Sequence, residues 1–106
     1  MPNGDSKNWI RFQITLESFF FRFGHWPSEI HLYPSFIAEL EEKFSAADFG
    51  KIRSKIRLTP DAGNPFLALD DMGNRHDYRL SGSVAPVDIR GSAHTWLGVG
   101  EPEYYD

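Results

Sequence analysis

The sequence predicts an α+β domain in which a mostly antiparallel sheet of about 4–6 strands carries one or two helices on one face. Several short segments alternate apolar and polar residues, as strands with one wet face do. One central segment places apolar residues at helical spacing, and the predicted order of elements is β-β-α-α-β-β-β. The chain has 106 residues, of which 41% are hydrophobic, and this is the size and composition of one globular domain.

The composition excludes several kinds of chemistry. The sequence contains no cysteine, so the chain cannot form a disulfide or offer a thiolate as a nucleophile or metal ligand. The net charge of −4 disfavours general binding to nucleic acids or anionic membranes. No segment reaches the roughly 20 apolar residues that span a bilayer, so we expect a cytoplasmic protein. We expect a single domain over residues 1–106, with a flexible segment 1–8 and an irregular Gly/Pro-rich segment 81–106.

The first predicted strand begins at Trp9, where apolar and polar residues alternate. Its apolar positions are even-numbered: Ile10, Phe12, Ile14 and Leu16. Beyond Ser18 the apolar positions become odd-numbered, so either a bulge or turn lies there, or the strand is apolar on both faces. After a break at Gly24 and Pro27, the segment 29–33 predicts a short second strand.

Two helices are predicted next. Pro34 suits the first turn of a helix, where its missing N–H is not needed. Apolar residues of the segment 35–44 then follow at helical spacing, with charged residues on the opposite face. Ser45 and Asp48 have the spacing of a capping box, which predicts that a shorter helix carrying Phe49 begins here.

Three strands are predicted in the second half of the chain, over segments 55–59, 66–70 and 75–80. Beyond them the sequence is rich in glycine, serine and proline, and its periodicity is weak. Short strands are predicted near residues 87–90 and 94–99.

The stretch LDDMGNRHDYRL, residues 69–80, concentrates three aspartates, a histidine and two arginines around one predicted hairpin turn. Two strand registers are open. A two-residue loop formed by Met72 and Gly73 would place Leu69 opposite His76. A type I turn with Gly73 in a left-handed conformation would shift the pairing by one residue. Ala68 would then lie opposite His76.

Only the shifted register puts Asp70 on the same sheet face as His76, so the register decides whether a site is feasible here. Asp71 is expected to accept hydrogen bonds from backbone N–H groups of the turn. His76 is expected to be a partly buried strand residue with a satisfied ring nitrogen. No metal site is predicted, because Met72 and Gly73 stand where a calcium loop needs oxygen ligands.

A basic stretch, KIRSKIR at residues 51–57, contrasts with the rest of the chain, which holds seven basic and fifteen acidic residues. Its four basic residues are Lys51, Arg53, Lys55 and Arg57. The simple explanation is that they stabilise the C-terminal end of the second helix and the wet face of the next strand. The functional alternative is a patch that binds phosphate, RNA or an acidic protein partner.

Two loops combine a histidine with a tryptophan and supply further candidate binding residues. His25 precedes Trp26 in one loop, and His94 lies close to Trp96 in the other. His31, in the short second strand, is expected to be structural. The histidines lack the spacing of a zinc protease, and no nucleotide-binding or esterase motif is complete. We therefore predict no catalytic residue, cofactor or metal.

Aromatic residues make up 15% of the chain, and the segment FFFRF is a candidate interface. The interface residues would be Phe19, Phe20, Phe21 and Phe23. A strand that is aromatic on both faces needs a second cover, either the C-terminal segment with Trp96 and Leu97 or another copy of the chain.

Three functional hypotheses follow from these features. The leading one is a small non-enzymatic binding or regulatory module that acts through contacts with a protein partner, including homodimer formation. The second is binding of RNA or a phosphate ligand through residues 51–57. The third is a hydrolase that uses His25 or His94 with a carboxylate.

Overall fold

The computed structural model describes residues 3–86 and 92–99, with side chains in the first helix described from Lys7 onward. These residues form an α+β domain with a four-stranded mixed sheet and five helices. In chain order the elements are α1 (Asn3–Phe23), β1 (Glu29–Leu32), α2 (Pro34–Lys43), α3 (Ala46–Lys55), β2 (Arg57–Pro60), β3 (Leu67–Leu69), β4 (Arg75–Asp77), α4 (Tyr78–Ser81) and α5 (Ser92–Leu97). The predicted α+β class is confirmed, and the second predicted strand is β1. The first predicted strand is wrong, because that segment is helix α1, and five helices are present in the described residues instead of the predicted one or two. The strand predicted near residues 87–90 lies outside the described residues.

Helix α1 replaces the predicted first strand, and it begins within the segment that was expected to be flexible. It buries one stripe of large residues at intervals of three and four: Trp9, Phe12, Leu16 and Phe19. Ile10 belongs to the alternating set but is 50% exposed, so burial follows the helical period. The helix ends at Phe23 and is followed by Gly24, whose φ of +78° suits glycine and whose N–H donates to the Phe20 carbonyl at 2.8 Å.

Helices α2 and α3 confirm the predictions made from local signals. Pro34 is the first residue of α2, and the Ser45 side chain accepts a hydrogen bond from the Asp48 N–H at 3.1 Å to cap α3. Both helices contribute buried apolar residues to the core. Within residues 3–86 and 92–99, every helix is too short or too polar to cross a lipid bilayer.

The sheet has the strand order β2-β1-β3-β4. Strands β1 and β2 pair in parallel, because α2 and α3 carry the chain back to the end of the sheet where β1 began. The pairs β1·β3 and β3·β4 are antiparallel. One face of the sheet packs on the helices and shares a single core with them. That core includes Phe12, Phe19, Ile30, Leu32, Phe36, Leu40, Ile52 and Ala68.

The C-terminal segment packs against α1 as a helix, so the strand predicted near residues 94–99 is wrong. The Glu17 carboxylate of α1 is buried and accepts a hydrogen bond from the Ala93 N–H at 3.1 Å. The Trp96 ring stacks on Trp26 at 4.7 Å, and Trp26 stacks on Phe20 at 4.5 Å. Trp26 thus covers the Phe20 ring, and Trp96 of the C-terminal segment covers Trp26.

The predicted interface segment is the last part of α1 and is therefore not available as a pairing strand. Phe19 is buried, and Phe23 packs on it with ring centroids 4.7 Å apart. Phe20 belongs to the stack with Trp26. Phe21 is 53% exposed, so of these four rings it alone projects mainly into solvent.

Candidate functional site

The hairpin between β3 and β4 adopts the shifted register. Ala68 lies opposite His76, and Gly73 has a φ of +90°. This is the left-handed conformation that the type I turn requires and that glycine adopts without steric cost. Asp70 and His76 therefore lie on the same face of the sheet.

The Asp70 carboxylate holds the turn together. Its Oδ1 atom accepts hydrogen bonds from the N–H groups of Met72 at 2.9 Å and Asn74 at 3.0 Å. Its Oδ2 atom accepts from the Asn74 side-chain amide at 3.0 Å and lies 2.6 Å from His25 Nε2. The turn role predicted for Asp71 thus belongs to Asp70. Asp71 instead accepts a hydrogen bond from the Ser28 hydroxyl at 3.4 Å.

These hydrogen bonds set the ionisation of Asp70. Burial raises the pKa of this carboxyl, but hydrogen bonds from His25, Asn74 and Met72 together outweigh burial and lower the pKa to about 2. Because the folded pKa lies below the unfolded value of 3.8, Asp70 contributes stability above pH 3.8. That contribution is lost as the pH falls from 3.8 towards 2.

We expect the Asp70 carboxyl carbon to titrate with a midpoint of about 2 in an NMR pH titration. The variant His25→Ala should raise this midpoint, because it removes one hydrogen bond to the charged form. His94→Ala, whose histidine lies on α5, is the control and should leave the midpoint unchanged. A midpoint that is the same in His25→Ala as in the native chain would contradict the His25 contact.

His76 has partners of its own and does not bond to Asp70. It is fully buried, and its Nε2–H donates to the Gly82 carbonyl at 2.8 Å. Its Nδ1 accepts a hydrogen bond from the Arg22 guanidinium at 3.1 Å. Burial lowers the pKa of His76, which favours the neutral ring that this geometry requires. His76 is therefore a structural link between α1, β4 and the turn that follows α4.

His31 lies on the sheet face that points away from the helices. Its Nδ1 lies 2.8 Å from Asp61 Oδ2, and its Nε2 lies 3.3 Å from Glu29 Oε2. The hydrogen bond from His31, followed by one from the Asn64 N–H, lowers the pKa of Asp61. Among the side chains that the structure describes, no group of three or more His, Asp or Glu is arranged to hold a metal ion.

The two histidine–tryptophan pairs meet through their indoles, although the prediction of a loop for His94 and Trp96 is wrong, because both residues lie in α5. Trp26 and Trp96 stack with an interplanar angle of 10°. His25 turns to Asp70, whereas His94 lies in the last turn of α5. No histidine lines the open depression around residues 53–58 or the open cleft around residues 78–82. The third hypothesis thus gains one carboxylate partner, Asp70, at His25.

The basic stretch forms an open depression of about 360 Å³. We call it the basic depression, and its lining residues are Ser28, Arg53, Ser54, Lys55, Ile56, Arg57 and Leu58. Three of the four predicted basic residues are thus brought together. Lys51 is not among them, and its Nζ atom lies 3.6 Å from the Asp48 carboxylate.

A larger open cleft, of about 720 Å³, lies at the opposite end of the sheet, beside the C-terminal end of β1. We call it the arginine cleft. Its chemistry comes from Arg11, Tyr33, Phe66, Tyr78, Arg79 and Leu80. These residues belong to separate segments of the chain, so sequence patterns gave no signal that would group them.

Comparison with models of protein families, with curated proteins and with solved structures gives no match to this chain.

Proposed function

We propose that this chain is a small non-enzymatic binding module that recognises an acidic segment of a protein partner at the basic depression. The observation that carries the proposal is the clustering of Arg53, Lys55 and Arg57 around one open depression, together with two serine hydroxyls. None of the residues that line it is acidic. Carboxylates of a partner would complement these cations. The depression is locally positive, whereas the net charge of the whole chain is −4.

The fold neutralises only part of the positive charge in the basic depression. Arg53 and Lys55 lie in the last turn of α3. There they offset the partial negative charge of the helix C-terminus, which is about half an elementary charge. The Arg57 guanidinium lies 3.7 Å from the Glu29 carboxylate, but its side chain is 76% exposed. An exposed ion pair of this kind contributes only about 0–1 kcal/mol to the stability of the fold. Little free energy is therefore lost when Arg57 leaves Glu29 and pairs with a carboxylate of a partner.

The lining of the basic depression favours an acidic peptide over RNA. Single-stranded RNA binds proteins largely by stacking its bases on exposed aromatic rings. The depression is lined by aliphatic, hydroxyl and cationic side chains, and the nearby Phe49 ring is 9% exposed beneath Arg53. The acidic remainder of the chain also repels a nucleic-acid backbone.

The test compares a fluorescently labelled acidic peptide with single-stranded RNA of equal net charge by fluorescence anisotropy. We expect the peptide to bind more tightly and its affinity to fall as salt is added. The double variant Arg53→Glu/Arg57→Glu should lower peptide affinity by at least about tenfold, or about 1.4 kcal/mol.

The matched control is Lys7→Glu/Arg75→Glu, which changes the net charge equally at two exposed positions outside the depression. It should change peptide affinity far less than the first double variant does. Equal losses in the two double variants would mean that only net charge matters and would contradict the proposal. Tighter binding of the RNA would instead favour the nucleic-acid hypothesis.

A further inference from the structure

We propose that the arginine cleft is a second binding site, for a small aromatic anion, meaning a planar ring that carries a carboxylate or a phosphate group. The cleft shares no lining residue with the basic depression, so this proposal stands apart from the acidic partner. Arg11 and Arg79 give the cleft two positive charges, and none of its lining residues is acidic. The chain as a whole has an excess of acidic residues, but this cleft is locally positive and therefore favours anionic ligands.

The arginines retain donors for a ligand. Arg79 uses one guanidinium nitrogen to donate to the Gly63 carbonyl at 2.6 Å, and Arg11 uses one to donate to the Asn8 side chain at 3.2 Å. A guanidinium has five N–H donors in a planar fork that matches the oxygens of a carboxylate or phosphate. The ion pairs found among the described side chains involve neither arginine. A bound anion would therefore not have to displace an internal carboxylate.

An aromatic wall explains why the anion should carry a ring. Phe66 is buried and meets Tyr33 edge to face at 5.9 Å and Tyr78 at 6.3 Å. Tyr33 is 38% exposed, and Tyr78 is partly exposed, so both tyrosines present ring surface to the cleft. Aromatic rings pack favourably on such surfaces in offset or edge-to-face arrangements.

The aromatic wall, which consists of Phe66, Tyr33 and Tyr78, is held in position by the backbone around Phe66. This residue has a φ of +60°, a left-handed conformation that residues other than glycine rarely adopt. Its N–H donates to the His31 carbonyl at 2.6 Å, and its carbonyl accepts from the Tyr78 N–H at 3.0 Å. Unusual backbone conformations that the surrounding structure enforces are concentrated at binding sites.

The other side of the cleft is the α4 turn, which is anchored at both ends. The Asp77 side chain accepts a hydrogen bond from the Arg79 N–H at 2.9 Å. At the far end, the Gly82 carbonyl accepts from the buried His76 ring. Both walls are therefore held in place before a ligand arrives, and the volume lies within the range of about 300–1,000 Å³ that is usual for ligand sites.

The first experiment titrates the ¹⁵N-labelled full chain with benzoate and with phenyl phosphate, and follows amide chemical shifts. We expect saturable shifts around residues 66 and 78–82 for at least one probe, with a dissociation constant of about 1 mM or tighter. Benzyl alcohol lacks the charge and inorganic phosphate lacks the ring, so each should bind at least about tenfold more weakly. A preference for benzoate or phenyl phosphate assigns the anionic group.

The decisive variants are made at Leu80, which lines the cleft, is 85% exposed and can be changed without disturbing the core. Leu80→Glu should weaken binding of the preferred probe by about tenfold, whereas Leu80→Lys should retain or strengthen it. Arg79→Gln should also weaken binding by about tenfold, and Arg57→Gln, in the basic depression, should not.

Three results would overturn the proposal. One is the lack of any saturable shift at about 10 mM of either probe. Another is a set of shifts centred on the basic depression. The third is an equal effect of the two Leu80 variants, since binding would then not depend on charge in the cleft. If the chemical-shift changes remain in the arginine cleft of the variant Arg53→Glu/Arg57→Glu, anion binding there is independent of the basic depression. The proposal for the arginine cleft would then stand apart from the proposal for an acidic partner.

Discussion

The variant Phe12→Ala is expected to lower the free energy of unfolding by about 3–5 kcal/mol, the usual cost of removing a large buried ring. Phe12 is fully buried in the core and packs against Trp9 at 5.6 Å and Phe36 at 5.9 Å between ring centroids. Its removal leaves a cavity between α1 and α2 that neighbouring rings cannot fill without leaving their own contacts. Urea denaturation followed by far-ultraviolet circular dichroism measures the change.

Ile10→Ala is the matched control, because it distinguishes the helix from the strand that alternation predicts. In a strand, Ile10 and Phe12 would share a face and both substitutions would be costly. In α1, Ile10 is 50% exposed, so its replacement should change the free energy of unfolding by less than about 1 kcal/mol. Similar costs of several kcal/mol for the two variants would contradict the helical assignment of α1.

The variant His76→Ala is expected to lower the free energy of unfolding by about 3 kcal/mol at about pH 8. It leaves the Gly82 carbonyl without its donor and the Arg22 guanidinium without its acceptor, and it opens a void behind β4. His94→Ala, on α5, is the control and should cost less, because His94 is only partly buried.

The cost of His76→Ala should shrink as the pH falls from about 8 to about 5. Burial, and after it the Arg22 charge, lower the pKa of His76, whereas the Gly82 carbonyl and Asp77 oppose this shift. Because the folded pKa lies below the unfolded value of 6.5, the unfolded chain binds the proton first as the solution is acidified. The native chain thus loses the stability that His76 supplies, whereas the variant has none to lose. An unchanged difference between the two chains across this range would contradict a neutral, buried His76.

The parts of the fold that the sequence predicts correctly are those with local signals. Ser45 and Asp48 cap a helix by direct contact over three residues, and Pro34 marks a helix start. Gly73 permits the turn that fixes the hairpin register. These effects need no knowledge of distant residues, so they can be predicted before the fold is known.

The sequence of α1 satisfies two periods at once, so it does not by itself distinguish a helix from a strand. Ile10, Phe12 and Leu16 alternate with polar residues, yet Phe12, Leu16 and Phe19 also recur at helical spacing. Packing on the sheet and on α2 settles the choice, and that information is not local. The parallel pairing of β1 and β2, in contrast, could have been inferred, since two intervening helices return the chain to the same end of the sheet.

The two candidate sites also differ in whether local sequence signals can predict them. The basic depression was partly predicted because Arg53, Lys55 and Arg57 are close in sequence and remain close in the fold. The arginine cleft was not predicted, because Arg11 and Arg79 are far apart in the chain and only the packing of α1 beside α4 unites them. Each arginine taken alone has the pattern of an ordinary solvated side chain.

The contact between α1 and α5 has a consequence for biosynthesis. The Glu17 carboxylate bonds to the Ala93 N–H, which lies 76 residues further along the chain. At a translation rate of about 5–20 residues per second, α1 leaves the ribosome roughly 4–15 seconds before α5 can reach it. During this interval the Glu17 carboxylate lacks its hydrogen bond from Ala93, and Trp26 lacks the Trp96 ring that stacks on it in the folded chain. The nascent chain therefore depends on the late arrival of its C-terminal segment to complete its core, and a stalled or truncated product would expose α1 to aggregation.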